Sequence, residues 1–182
     1  MIRFVTTNAG KFREVAALLR GEGIEVEHVD LLVPEVQADT SEEVAAYSVK
    51  VLAEEADYDF FVDDSGFYVD ALKGFPGVYS SYVFRTIGPA GVLRLLEGAE
   101  RRAARFETVL MLRIAGETST FRGECRGAAT FEPRGNGGFG FDPIFLPDGH
   151  TKTFAEMTFE EKNAVSHRAN ATRALAAFLK GR

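Results

Sequence analysis

The first apolar run, Ile2 to Val5, gives way to the small and polar Thr6-Thr7-Asn8-Ala9-Gly10. Beyond it Phe12, Val15, Ala16 and Leu19 recur at helical spacing. The pattern predicts a strand, a tight loop and a helix. Ile24 to Val29 alternates as a second strand, and Val44, Tyr47, Ser48, Val51 and Leu52 mark a second amphipathic helix. Phe60-Phe61-Val62 is wholly apolar and reads as a strand buried on both faces, ending where Asp63-Asp64 leave it and Ser65-Gly66 turn the chain. Phe106 to Ile114 and Thr118 to Phe131 are long and strand-like, joined through Ala115-Gly116-Glu117 as an antiparallel arm. A closing helix from Ser166 places Ala171, Ala174, Leu175 and Phe178 on one face. The alternation of strand and helix in the first third predicts an α/β fold.

The 182 residues fit one α/β domain spanning 1–182, with room for two lobes. A formal charge of -6, from 21 basic and 27 acidic residues, gives no general attraction to a nucleic acid polymer. Cys125 is the only cysteine, which excludes an internal disulfide and a Cys-x-x-Cys site and suits a reducing compartment. The start turns polar too soon for a signal peptide, and no apolar run approaches the roughly 18 residues a membrane span needs. A cytoplasmic protein without membrane contact is expected.

Three patches carry candidate chemistry. In Thr6, Thr7, Asn8, Ala9, Gly10 and Lys11, small residues admit a ligand close to the backbone, while helix-start amides and the Lys11 ammonium favour a phosphate. It is not a Walker A loop: Val5 stands five residues before Gly10, and Phe12 follows Lys11. A small-residue turn with a solvated lysine is the alternative. Asp63 and Asp64, at the strand end where open sheets place ligands, repel each other, a cost that a magnesium ion would remove because it prefers carboxylate oxygens. The alternative is an Asx-type turn with both acids in water, and which of the two would ligate a metal is left open.

Near the end, Lys162 and the pair His167-Arg168 form the third patch. Cations in the first turn of a helix oppose its dipole at about 0.3 to 1 kcal/mol each, which points to a ligand or to pairing with Glu160 or Glu161. Gly135, Gly137 and Gly140 spell G-x-G-x-x-G, but Phe141-Asp142-Pro143 follows where a dinucleotide fold starts a helix. Phe139, Gly140, Phe141 and Asp142 instead offer aromatic faces and a carboxylate for a base, or else a turn with core phenylalanines. Glu35 is a further candidate metal ligand on a loop, or a surface acid. His28, His150 and His167 have no zinc spacing, so magnesium is preferred, with manganese as the alternative ion.

Four stretches resemble the inosine triphosphate pyrophosphatase family, also described as Ham1-like: TTNAGKFREV at 6–15, VDDSGFYVDALKGFPGVYSSY at 62–82, GGFGFDPIFLPDG at 137–149 and TFAEMTFEEKNAVSHR at 153–168. The resemblance implies an elongated two-lobed α/β fold with a central mixed sheet flanked by helices and a nucleotide cleft between the lobes. It also implies a homodimer and magnesium-dependent cleavage of the abnormal purine nucleotides ITP, dITP and XTP to the monophosphate and pyrophosphate. By motif, Asp64 would be proton acceptor and metal ligand, Glu35 the second metal ligand, Ser65 a substrate contact, and Thr6 to Lys11 with Lys162 the phosphate grip. Phe139 to Asp142 would face base and sugar, and His167 with Arg168 would read the purine 6-position. One departure is visible: the family's helix commonly reads Glu-Asn-Ala before a phosphate lysine, whereas here Glu43-Val44-Ala45 leads to Lys50 in a shifted position.

The expected reaction is attack of water on the α-phosphorus, with Asp64 taking the proton. Donors facing a 6-oxo group suit hypoxanthine and xanthine and oppose adenine, since a buried unpaired donor costs about 1 to 3 kcal/mol. Guanine is not distinguished by this rule. Two other readings share the residues: a pyrophosphatase for modified pyrimidine nucleotides, and a non-catalytic nucleotide sensor.

Overall fold

The apolar run Ile2–Val5 forms β1, and the helical repeat after it forms α1 (Ala9–Gly21). The structure, a computed structural model, describes residues 1–34 and 36–182. The chain continues through β2 (Val26–Val29), α2 (Ser41–Leu52), β3 (Phe60–Val69), β4 (Pro76–Gly77), α3 (Ser80–Thr86) and α4 (Gly88–Leu95). It then forms β5 (Ala103–Ile114), β6 (Glu117–Ala129), β7 (Phe145–Pro147), α5 (Phe159–Val165) and α6 (His167–Lys180). Among the described residues these make an α/β fold with a seven-stranded mixed sheet, ordered β2-β1-β3-β5-β6-β7, with β4 paired to β3. β1 runs parallel to β2 and β3, whereas β4 and β7 are antiparallel to β3 and β6. No helix among the described residues is long and apolar enough to cross a membrane.

The chain divides into two compact units. The first comprises 1–64, 108–123 and 167–182; the second comprises 65–107 and 124–166. In the first unit the period of two along the strands sorts the side chains between two cores. Phe4, Phe61, Leu110 and Leu112 pack with Val15 and Leu19 of α1 and with Ala171, Leu175 and Ala176 of α6. Val5, Phe60, Val62, Val109 and Met111 pack instead with Ala45, Val49 and Leu52 of α2. Both faces are covered, as the Phe60-Phe61-Val62 run predicts.

The second unit has an aromatic core. Phe67, Phe106, Phe145 and Phe154 meet at centroid separations of 4.9 to 5.0 Å along the chain Phe67–Phe106–Phe145–Phe154. Val83, Val92 and Leu96 close it from α3, α4 and the residue after α4. Cys125 lies in this cluster, as a packing cysteine should.

Two sequence expectations need correction. The segment Asp63-Asp64-Ser65-Gly66 is no turn: it is the middle of β3, which continues to Val69. Gly66 answers to crowding instead, because a Cβ there would lie 2.6 Å from the Gly77 oxygen and 2.7 Å from the Tyr68 ring. The second strand begins at Val26 rather than Ile24, because α1 terminates through Gly23, at φ +76°, and the Ile24 amide donates to the Leu19 carbonyl at 2.9 Å. The hairpin between β5 and β6 has the two-residue form: Ala115 and Gly116 both take positive φ, 50° and 83°. The Asp59 carboxylate accepts the Ala115 amide at 2.8 Å, which helps hold a non-glycine residue there.

Candidate active site

In the first unit the loop after β1 is organised by its own polar side chains. The Thr6 hydroxyl oxygen accepts the Asn8 amide at 3.1 Å, and the Asn8 side-chain oxygen accepts the Lys11 amide at 3.0 Å, capping α1. The first turn of α1 holds no acidic residue. Thr7 and Ala9 are exposed, while Thr6, Asn8, Gly10 and Lys11 are half-buried.

The Lys11 ammonium ion-pairs with Oδ1 of Asp63, whose side chain is fully buried. Oδ2 of the same carboxylate accepts from Nε of Arg168 at 3.0 Å, and Nη1 of Arg168 donates to Oε2 of Glu14 at 2.6 Å. Lys11, Asp63, Arg168 and Glu14 thus form one chain of two cations and two carboxylates. Burial by itself would lower the Arg168 pKa, but the charges of Asp63 and Glu14 outweigh it and raise the guanidinium above its ordinary value. The cation in the first turn of α6 is therefore answered by protein carboxylates, Asp63 and Glu14. Glu160 is exposed, and Glu161 caps α5 with Thr158 and pairs with Lys152 at 2.7 Å.

Alternation along β3 also separates the two aspartates. Phe61 and Asp63 share the face toward α1 and α6, so Asp64 falls on the face of Phe60 and Val62, toward α2. The pair thus diverges, and both oxygens of Asp63 accept from cations. Asp64 is half-buried, with its Oδ2 atom buried. Glu35 lies outside the described residues, and among the described residues no cluster of three His, Cys, Asp or Glu side chains could hold a metal. A single carboxylate in this position still fits a hard divalent ion, since magnesium is commonly bound by one or two carboxylates with substrate phosphates and water.

In the second unit the glycine-rich loop folds around Asp142. Its Oδ2 atom accepts the Phe139 amide at 2.8 Å and pairs with the Lys162 ammonium at 2.6 Å, both acid and lysine being buried. A Cβ on Gly138 would lie 2.0 Å from that same oxygen, so the loop requires glycine there. Lys162 also sits 4.6 Å from the Phe139 ring centroid. Phe139 and Gly140 are half-buried. Phe141 is core: its ring stacks on Phe67 at 5.3 Å and meets Phe84 edge-on at 6.0 Å, so it presents no aromatic face of the kind expected from the sequence. Ser65 is half-buried on β3. His167 is buried in the first unit, where its carbonyl would be 2.0 Å from a Cβ on Gly123. Lys50 is exposed.

Glu14 is the residue that sequence reasoning missed. It is buried on α1 beside Val15, but spacing alone does not separate it from the exposed Arg13 on its other side. The preformed grouping is thus Lys11, Asp63, Glu14 and Arg168 in one unit, and Phe139, Asp142 and Lys162 in the other.

Comparison with known proteins gives a consistent result. The sequence profile described as the Ham1 family matches residues 2–178. The dITP/XTP pyrophosphatase of Thermococcus kodakarensis is 52% identical over 179 residues, 98% of this chain and 97% of that protein. The protein of the same name from Pyrococcus horikoshii is 49% identical, covering 98% of this chain and 96% of its own. Among solved structures, a HAM1 protein from Coxiella burnetii superposes with a TM-score of 0.86 at 32% identity, covering 100% of this chain and 98% of that one. The Staphylococcus aureus Ham1 protein gives 0.85 at 30% identity, covering 100% and 99%. With the profile spanning nearly every residue and relatives this similar over their full length, the chain belongs to the Ham1 family.

Proposed function

We propose that this protein is a nucleoside triphosphate pyrophosphatase that hydrolyses dITP, XTP and ITP to the monophosphate and pyrophosphate, removing them from the nucleotide pool. The observation that carries the reading is the 52% identity, over 98% of the chain, to a protein named for dITP and XTP pyrophosphatase activity. In this reading Thr6 to Lys11 grip the polyphosphate with loop amides and the Lys11 ammonium. Lys162, buried against Asp142, holds the Phe139–Asp142 loop in shape for the base and sugar, with Ser65 a further substrate contact.

Asp64 is the proton acceptor. Water attacks the α-phosphorus, its proton passes to Asp64, a new phosphorus–oxygen bond forms, and the bond to the bridging oxygen breaks as pyrophosphate leaves. A magnesium ion, or manganese in its place, held by Asp64 and Glu35 would supply positive charge against the polyphosphate. Arg168, fixed as a charged donor by Asp63 and Glu14, and His167 beside it favour a 6-oxo purine over the 6-amino group of adenine. The protein acts as a homodimer in the cytoplasm. Tyr82, Phe84, Ile87 and Leu95, exposed at and between α3 and α4, supply apolar surface for such an assembly, and the mass in solution tests it.

A panel of purine and pyrimidine triphosphates, assayed with magnesium and after chelation, tests the activity. Pyrophosphate and monophosphate from dITP, XTP and ITP, lost on chelation and in Asp64→Asn, are expected. Faster turnover of modified pyrimidine nucleotides, or binding without any product, would overturn the assignment.

A further inference from the structure

The loop after β1 is tied down at its start by a residue on the neighbouring strand. Phe4 lies opposite His28 in the parallel register of β1 and β2. Two residues beyond Phe4, the Thr6 amide donates to the Val29 carbonyl at 3.0 Å, and the Thr6 carbonyl lies 2.8 Å from Nε2 of His28. A carbonyl oxygen can only accept, so Nε2 carries the proton in this contact. The imidazole is held flat by Phe12, whose ring stacks on it at 4.3 Å and 14°. From Thr6 the hydrogen bonds run on: its hydroxyl oxygen takes the Asn8 amide, the Asn8 side chain takes the Lys11 amide, and the Lys11 ammonium reaches Asp63. His28 anchors the near end of that series.

We propose that His28 is a positioning residue for the phosphate-gripping loop: its Nε2–H fixes the Thr6 carbonyl, and through Thr6 and Asn8 the orientation of the loop amides and of Lys11. The inference rests on the reading of Thr6–Lys11 as the polyphosphate grip. The ring has two separable functions here, donation to Thr6 and stacking on Phe12, and two substitutions split them. His28→Phe keeps a ring for Phe12 and removes the donor; His28→Gln keeps a side-chain N–H at a similar reach and removes the ring.

The test measures binding of inorganic tripolyphosphate by calorimetry in magnesium buffer, alongside KM and kcat for ITP and the melting temperature. Loss of one neutral hydrogen bond predicts that His28→Phe weakens tripolyphosphate binding and raises KM by about 3- to 10-fold, with kcat little changed. His28→Gln should recover most of the affinity, and inhibition by inosine, which has no phosphate, should match the wild type. Unchanged tripolyphosphate affinity in a folded His28→Phe protein overturns the proposal, as does an equal loss in both variants. Nitrogen NMR of the unsubstituted protein gives an answer that does not depend on any variant folding: the neutral ring must be protonated at Nε2, and an Nδ1-protonated ring overturns the assignment. Tight tripolyphosphate binding without ITP hydrolysis would sink the proposed activity while leaving the role of His28 standing.

Discussion

Arg168 donates through Nε to Oδ2 of Asp63 at 3.0 Å, with the two side chains 2% and 0% exposed. Charges so far from water persist because each has a second partner of opposite sign, Glu14 for the guanidinium and Lys11 for the carboxylate. Removing one member strands the others. Asp63→Asn should therefore lower unfolding stability by about 3 to 5 kcal/mol, read as a shift of the urea midpoint at constant slope. A loss well below this range would mean that the four charges are not sequestered as a group.

The same chain fixes a pH expectation. The Arg168 pKa is raised above its ordinary value, so the stability it contributes is complete below the unfolded value and is lost only as pH climbs past the higher folded one. Alkaline titration through the range where lysines deprotonate should leave Arg168 paired, as nitrogen NMR of its guanidinium would report.

Cys125 titrates in a reachable range. Burial, followed by the charges of Asp148 and Glu124, pushes its thiol from 9.0 up to about 12. The folded state then favours the protonated thiol: this contribution is complete below 9.0 and is lost as pH rises from there to about 12. Alkylation by a neutral thiol reagent at neutral pH should be slow in the native protein and become fast in denaturant. Cys125→Ala should remove part of the alkaline destabilisation.

Glycine substitutions should have opposite signs at two positions. Gly66→Ala drives a Cβ into the Gly77 carbonyl and the Tyr68 ring, an overpacking cost of about 1 to 3 kcal/mol. Gly21→Ala, at the end of α1 with open space around its Cβ, should stabilise by about 0.4 to 1 kcal/mol. Melting temperatures of the two variants test both signs, and equal shifts would contradict the packing described.

For Asp142, the loss comes from leaving the Lys162 ammonium buried without its carboxylate. Asp142→Asn should destabilise by about 3 to 5 kcal/mol, and the double variant Asp142→Asn with Lys162→Met should regain much of it. If the double variant is worse than the single one, Lys162 has another partner that matters more.

Much of this architecture is legible from periodicity. The helices α1, α2 and α6 announce themselves at 3.6-residue spacing, and Phe60-Phe61-Val62 gives both faces of β3 at once. Aspartate, serine and glycine are poor strand formers, so Asp63 to Gly66 read as a turn, whereas the pairing of β3 within the sheet and the cations around Asp63 hold that stretch extended. Charged candidates were found by type, but their partners were not. Arg168 and Glu14 are 154 residues apart, and no local pattern links them. Phe141 and Phe139 look alike in the sequence, and only the folded loop separates the core ring from the half-buried one.

Passage of the chain between the two units at 64/65, 107/108, 123/124 and 166/167 bears on its synthesis. The core that surrounds Phe4 and Phe61 is completed by Ala171, Leu175 and Ala176. A ribosome-bound polypeptide therefore carries its earliest strands without their final cover until α6 clears the exit tunnel. The unit spanning 65–107 and 124–166 has its full set of residues sooner. Any truncation before α6 would leave the strands made first with an apolar face that α1 covers in part, a target for chaperones and proteases.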